Sequence, residues 1–223
     1  MKVTWSDMAS QDNLLVKNRL KIILGTVTLT GIGLLIRRWY PRMPCPSSLS
    51  FLLENPFMNR VAGAQLLLDR AGITPGMRVL DVGCGPGRIT LPAAQRVGLN
   101  GEVVALDIQP AMLQRLQKKL EAQKVTNVRL LQAGAGEGKT ELETFDRAFL
   151  VTVLGEIPDK TAALSEIYNA LKPGGILSIT EVFPDPDIQT PGAIRKLAQE
   201  VGFEVDGKMG SFPAFTMNLL KPI

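Results

Sequence analysis

Residues 79 to 87 read Val-Leu-Asp-Val-Gly-Cys-Gly-Pro-Gly, a buried-strand pattern that runs straight into a turn holding three glycines. Val79, Leu80 and Val82 are the residue types of a strand covered on both faces. Gly83, Gly85 and Gly87 reach backbone angles closed to other residues and let a ligand approach the main chain closely. Arg88 to Val97 then reads as a helix, so the turn joins the carboxyl end of a strand to the amino end of a helix. In open α/β sheets, ligands bind at that junction.

Spacing separates the ligand classes that use such a turn. A dinucleotide fingerprint needs Gly-x-Gly-x-x-Gly, with a pyrophosphate on the helix amino terminus. Counted from Gly83, its third glycine falls at position 88, which is Arg88. The chain has Gly-x-Gly-x-Gly instead, preceded by Asp81, and a carboxylate there repels a diphosphate and favours an ammonium or sulfonium. Asp81-Val-Gly-Cys-Gly-Pro-Gly87 resembles the first motif of the class I methyltransferases that use S-adenosylmethionine. That resemblance implies that Asp81, Gly83, Gly85 and Gly87 hold the methionine end of the donor, with Cys84 also among the donor-binding residues.

The likeness continues in order along the chain. Gly101 to Asp107 reads as a second buried strand ending in an acid about twenty residues beyond the turn, where a carboxylate can accept hydrogen bonds from ribose hydroxyls. Pro110 suits the first turn of a helix, and Ala111 to Leu120 carries apolar residues at helical spacing. In the family, Ile108 and Met112 would flank the adenine, and Ala135 and Val151 fall at further donor-contacting positions. A third strand, 127–132, leads to Ala133-Gly-Ala-Gly-Glu-Gly138. Relatives usually place there an acid or similar side chain that bonds the adenine amino group. This chain has Gly134 at the matching position, so the purine must be read by backbone groups or by a neighbour such as Glu137. A fourth strand over 145–153, a helix over 161–171 and the turn Lys172-Pro-Gly-Gly175 into Ile176–Glu181 complete a second family signature.

The alternation of strands and helices predicts a mostly parallel sheet with helices on both faces. Phe203–Val205 and Ala214–Leu220 read as sixth and seventh strands, an antiparallel pair joined by 208–213, and Thr190-Pro191 opens the last helix. The resemblance implies an α/β, Rossmann-like, doubly wound sheet of seven strands in the order 3-2-1-4-5-7-6, with the final strand antiparallel. This methyltransferase domain would span 51–223, behind an arm over 1–50.

Charge divides along the same line. The first sixty residues hold eight Lys or Arg against three acids, and the remainder holds seventeen against eighteen. The basic character therefore belongs to the arm, and the domain carries no composition-level surface for nucleic acid. Within the arm, Ile22 to Ile36 has no charge and is bracketed by Lys17, Arg19, Lys21 and by Arg37, Arg38, Trp39, Tyr40. Fifteen helical residues reach only about 22 Å, short of the ~30 Å hydrocarbon core, a gap that snorkelling cations and the Trp-Tyr pair could close. An apolar helix that spans or embeds in the membrane is the expectation, with the catalytic domain in the cytoplasm where the donor is. The alternatives are a packing or dimerisation arm on a soluble cytoplasmic protein, and a cleaved leader, against which the absence of a small-residue cleavage site argues.

Two cysteines, Cys45 and Cys84, and no histidine cannot assemble a common zinc site, so no metal is expected. Methyl transfer from a sulfonium is an in-line displacement that needs alignment and exclusion of water. If the acceptor requires a base, Asp, Glu, Lys, Tyr or Cys must serve, and Glu156, after the fourth strand, is the candidate. No sizeable insertion roofs the acceptor. Pro41–Phe57, with Phe51, Leu52, Leu53 and Phe57, and the Phe183–Ile188 loop could form an apolar mouth, which points to a lipophilic small molecule such as a quinone or another lipid. The rival readings are a silent S-adenosylmethionine-binding module and, against the Arg88 spacing, a nicotinamide oxidoreductase.

Overall fold

In the computed structural model, residues 61–183 and 185–223 are described. The arm over 1–50, its apolar segment 22–36, and Phe51 to Phe57 of the expected mouth lie outside the described residues, as does the domain boundary at 50/51. The described elements run α1 (Ala64–Arg70), β1 (Arg78–Val82), α2 (Thr90–Val97), β2 (Glu102–Asp107), α3 (Pro110–Gln123), β3 (Val128–Gln132), β4 (Phe145–Val151), α4 (Lys160–Ala170), β5 (Leu171–Val182), α5 (Pro191–Val201), β6 (Glu204–Ser211) and β7 (Ala214–Leu220). Among them, no helix is long and apolar enough to cross a membrane.

The seven strands form one sheet in the order β3-β2-β1-β4-β5-β7-β6. β1 to β5 pair in parallel, and β7 runs antiparallel to both β5 and β6. The expected order and the single reversed strand are both present. Successive residues of β1 point to opposite layers: Val79 packs with Leu67, Val97 and Phe149 beneath α1 and α2, while Leu80 packs with Leu164, Ile167 and Ile179 beneath α4. Phe145 and Phe149 are almost fully buried, and burying each such side chain stabilises the fold by roughly 1.5–3 kcal/mol.

Local signals placed the helix ends well. Thr190 accepts a hydrogen bond from the Ala193 amide at 3.2 Å and Pro191 takes the first helical position of α5, as capping chemistry requires. Asp159 caps α4 in the same way, accepting from the Ala162 amide at 2.9 Å. Several boundaries differ from expectation, among them the end of the fourth strand, expected at 153 and found at Val151. The helix expected from Arg88 begins at Thr90, because the glycine turn extends through 89. Lys172 to Gly175 is an excursion inside β5 rather than a turn ahead of it: Phe145 pairs with Leu171, and Arg147 with Ile176. Gly174 and Gly175 are then tied to Lys221 at the end of β7 through backbone hydrogen bonds of 2.9 Å. The largest difference is β6, which runs on to Ser211 and leaves only Phe212-Pro213 as the connection. Gly207, Lys208 and Gly210 lower the local strand propensity, but pairing with β7 along a sheet edge overrides it.

Candidate active site

The carboxyl ends of β1 and β2 meet in the glycine turn. Gly83, Gly85 and Gly87 have φ of 71°, 53° and 90°, the left-handed region that favours glycine. Their absent side chains serve different ends. A Cβ on Gly83 would lie 2.6 Å from Val153 Cγ2, and one on Gly87 would collide with Leu116 Cδ1, so these two make room for the protein itself. A Cβ on Gly85 would meet nothing within 4 Å. The middle glycine therefore presents bare main chain to an open side, as a close-lying ligand needs.

Backbone amides tie this turn to β2. Gly83 and Cys84 both donate to the Leu106 carbonyl, at 2.8 and 3.0 Å, and Gly85 donates to Asp107 Oδ2 at 2.8 Å. The other oxygen of Asp107 accepts from the Gln109 amide at 2.8 Å. Asp107 is 5% exposed, and burial raises its carboxyl above the ordinary range against the pull of those two amides. An ionised carboxylate can accept about four hydrogen bonds, so positions remain for a pair of vicinal hydroxyls. Asp81 lies behind the turn, with Oδ2 accepting from the Thr90 hydroxyl at 2.6 Å. Burial lifts it to about 6, opposed by the Thr90 hydroxyl and reinforced by the neighbouring charge of Asp107. Any influence of Asp81 on a cation held at the turn would therefore be a field acting through the main chain. Arg88, where a dinucleotide fingerprint has glycine, donates from Nη2 to the Ala62 carbonyl at 2.8 Å.

The remaining expected donor contacts separate into those facing outward and those buried. Ile108, directly after Asp107, is 53% exposed, an unusual setting for isoleucine and suited to stacking on a flat ring. Gly134 is adjacent: a Cβ there would come within 3.5 Å of Ile108 Cδ1. Ala135 is partly buried against the layer beneath α4. Met112, by contrast, is 3% exposed, and Cys84 packs its thiol among Leu91, Leu113 and Leu116. That apolar setting pushes the Cys84 thiol far up, and Sγ donates to the Gly85 carbonyl at 3.6 Å. Val151 packs on the layer beneath α1 and α2. Thr152 has a positive φ of 56°, and beyond it Val153, two residues on, abuts Gly83. Strand alternation does not extend through Thr152, so the sequence pattern could not distinguish Val153 from Val151.

On the β4–β5 side, Glu156 donates its amide to the Val153 carbonyl at 3.0 Å in the loop after β4 and is half-buried. That loop presses on the one after β5: a Cβ on Gly155 would collide with the Asp187 backbone. Glu181, at the end of β5, escaped sequence reading. It is 1% exposed and Oε1 has no hydrogen-bond partner among the described residues. Burial raises its carboxyl to about 8, countered by the Gln189 amide and Lys160 and increased by Asp185. The signal was available in kind, since Glu181, like Asp81 and Asp107, is an acid closing a run of buried-strand residues. Just beyond β5, Phe183 and Phe212 are 49% and 79% exposed, with ring centroids 5.2 Å apart. Because β7 is reversed, the β6–β7 connection carrying Phe212 lies at the same sheet edge as the glycine turn.

The solved S-adenosylmethionine-dependent methyltransferase from Aquifex aeolicus superposes on 79% of this chain and 99% of its own, with a TM-score of 0.74 at 22% identity. The cyclase SpnF shares the fold over 72% of this chain and 80% of its own, at a TM-score of 0.62 and 18% identity, so the architecture alone does not select a reaction. In sequence, the ubiquinone/menaquinone biosynthesis C-methyltransferase of Idiomarina loihiensis is 36% identical over 148 residues, which cover 66% of this chain and 57% of the relative. The match thus spans under three fifths of that relative's length. A methyltransferase-domain family matches residues 73–204, from just ahead of β1 to the start of β6. The chain belongs to this methyltransferase-domain family, within the class I enzymes that depend on S-adenosylmethionine.

Proposed function

We propose that this domain transfers the methyl group of S-adenosylmethionine to a ring carbon of a lipophilic, quinone-type acceptor. The observation that carries the reading is the open Gly85 face beside Asp107, with its two amide-fixed oxygens, in a chain 36% identical to a C-methyltransferase of quinone biosynthesis. The residues present fit the donor: bare main chain for its amino-acid tail, buried acids near its positive charge, carboxylate positions for its hydroxyls and an outward Ile108 for its ring. When bound, S-adenosylmethionine supplies a methyl group made electrophilic by the sulfonium.

The chain's own contribution is alignment, exclusion of water and one proton transfer. In the transfer, the acceptor carbon forms a bond to the methyl, the electron pair of the carbon–sulfur bond stays on sulfur, and the ring carbon releases its hydrogen as a proton. A base must receive that proton. With no histidine in the chain, the acids of the β4–β5 side are the available groups. Glu156 is half-buried and can touch an acceptor, whereas Glu181 is 1% exposed and cannot, so we assign the proton to Glu156. Phe183 and Phe212 would line the apolar mouth, and an arm holding 22–36 at a bilayer would bring the domain, taken as 51–223, to a membrane-dissolved acceptor.

The test uses the full chain, methyl-labelled donor and a demethylated hydroquinone, with products analysed by mass spectrometry. A labelled methyl on ring carbon is expected, with turnover in Glu156→Gln reduced about 10²-fold at unchanged donor affinity. Tight donor binding with no product from quinols or lipid extracts overturns the reading. Partition of the chain in cell fractions tests the arm separately.

A further inference from the structure

The family resemblance implies an acid at the position of Gly134, so beyond the apolar wall of Ile108 the purine side of the donor site lacks a polar side chain at that position. The structure fills that space from elsewhere. A Cβ placed on Gly134 would lie 2.7 Å from Glu137 Oε1 and 3.3 Å from its Cδ. An aspartate carries its carboxylate oxygens about 2.4 Å from its own Cβ by ordinary bond lengths. Glu137 therefore holds a carboxylate oxygen at nearly the distance where an acid at 134 would hold one, beside Ile108. Among the described residues, the exposed Glu137 carboxylate takes part in no hydrogen bond or ion pair.

The loop that carries Glu137 is held from below. Glu166, on α4, accepts from the Gly136 amide at 2.6 Å, the Lys139 amide at 2.7 Å and the Thr140 amide at 2.9 Å. Burial works to raise its carboxyl, but the amides of Thr140, Gly136 and Gly138 together hold it below the ordinary range, so it stays charged. Gly136, at φ 98°, lies against the start of α4: a Cβ there would be 3.1 Å from the Ala163 amide nitrogen. The Glu137 amide closes the turn on the Gly134 carbonyl at 3.3 Å. A fixed loop presenting an unpaired carboxylate next to an outward apolar wall suits a flat ring with an exocyclic amino donor. We propose that Glu137 is the specificity-determining acceptor for the purine amino group of the donor, replacing an acid at position 134, with Glu166 as the positioning residue that holds its loop.

This inference rests on the donor reading of the site, and calorimetry distinguishes the two. Wild-type chain, Glu137→Ala and the double variant Gly134→Asp/Glu137→Ala are titrated with S-adenosylhomocysteine and with its analogue bearing hydrogen in place of the 6-amino group. Glu137→Ala is expected to bind S-adenosylhomocysteine about tenfold more weakly and the analogue unchanged, and the double variant to recover most of the loss. Equal affinity of wild type and Glu137→Ala for S-adenosylhomocysteine, or an equal loss for both ligands, overturns the assignment while leaving the donor site standing. Failure of the wild type to bind either ligand overturns both. Glu137 is exposed, so an unchanged unfolding midpoint shows that the variants fold.

Discussion

The two edges of the central sheet handle charge in opposite ways. At the amino edge, Arg78 pairs with Glu102 and Glu141, Arg129 with the same two acids, Lys172 with Asp146, and Lys221 with Glu143. At the carboxyl edge, Asp107 ends β2 and Asp81 and Glu181 stand one residue before the ends of β1 and β5, all at 5% exposure or less, and among the described residues none joins a salt bridge. All three carboxyls are raised by burial, the signature of acids that cost the apo fold stability. A folded chain retains such groups where a ligand repays the cost, and a sulfonium or ammonium near Asp81 has the right sign. In the proposed reading, one edge serves the fold and the other its ligand.

The sharpest way to break that contrast is to remove Asp107. It orders the turn through Gly85 and Gln109, and in the proposed reading its remaining lone pairs take the donor's hydroxyls. Asp107→Ala is expected to weaken S-adenosylmethionine binding about 100-fold by calorimetry, the equivalent of about 3 kcal/mol, as two charge-assisted hydrogen bonds are lost. Unchanged affinity would show that the carboxyl edge does not read the donor.

Next in size is the effect of pH on the apo domain. Glu181 has a folded-state value of about 8 against an unfolded value near 4.5, and Asp81 about 6 against 3.8. Between those limits the native state binds more protons than the unfolded chain, so stability falls as pH rises from about 4 to about 8. Glu181→Gln should flatten the upper part of this decline, raising stability at pH 8.5 by on the order of 2 kcal/mol relative to wild type, with little change at pH 5. Denaturant titrations at both pH values measure it. A wild-type stability that climbs with pH would mean that the acids of this edge are satisfied after all.

The same contrast explains what could be read from the chain alone. The donor half is written in consecutive residues: a buried strand, Asp81, three glycines, then Asp107 at the end of the next strand. Turn chemistry and strand burial are local, so the strands and the turn emerge from the pattern, whereas the strand order followed from the family resemblance. The acceptor side and the remaining walls of the donor site depend on tertiary packing that the local pattern does not show. Val153 reaches Gly83 past the turned backbone of Thr152, Phe212 meets Phe183 only because β7 reverses, and Glu137 covers Gly134 because α4 holds the loop. Glu181 looks in sequence like the last residue of a strand, and only the packing of the loop over it reveals the orphaned oxygen.

The smallest effect belongs to the amino edge and serves as the reference for the others. Arg129 bonds Glu102 and Glu141, but its side chain is 42% exposed and those of its partners 32% and 47%. Exposed pairs of this kind gain little Coulomb energy in water and lose side-chain entropy, so each contributes well under the terms above. Arg78 also bonds both acids, so removing Arg129 leaves neither carboxylate alone. Arg129→Ala should cost no more than about 1 kcal/mol in denaturant titrations, less in high salt, and leave donor affinity untouched. If it weakened the donor as Asp107→Ala does, the two edges would be coupled through β2, where Glu102 and Asp107 stand at opposite ends of one strand, and the division between fold and function would have to be redrawn along strands rather than across them.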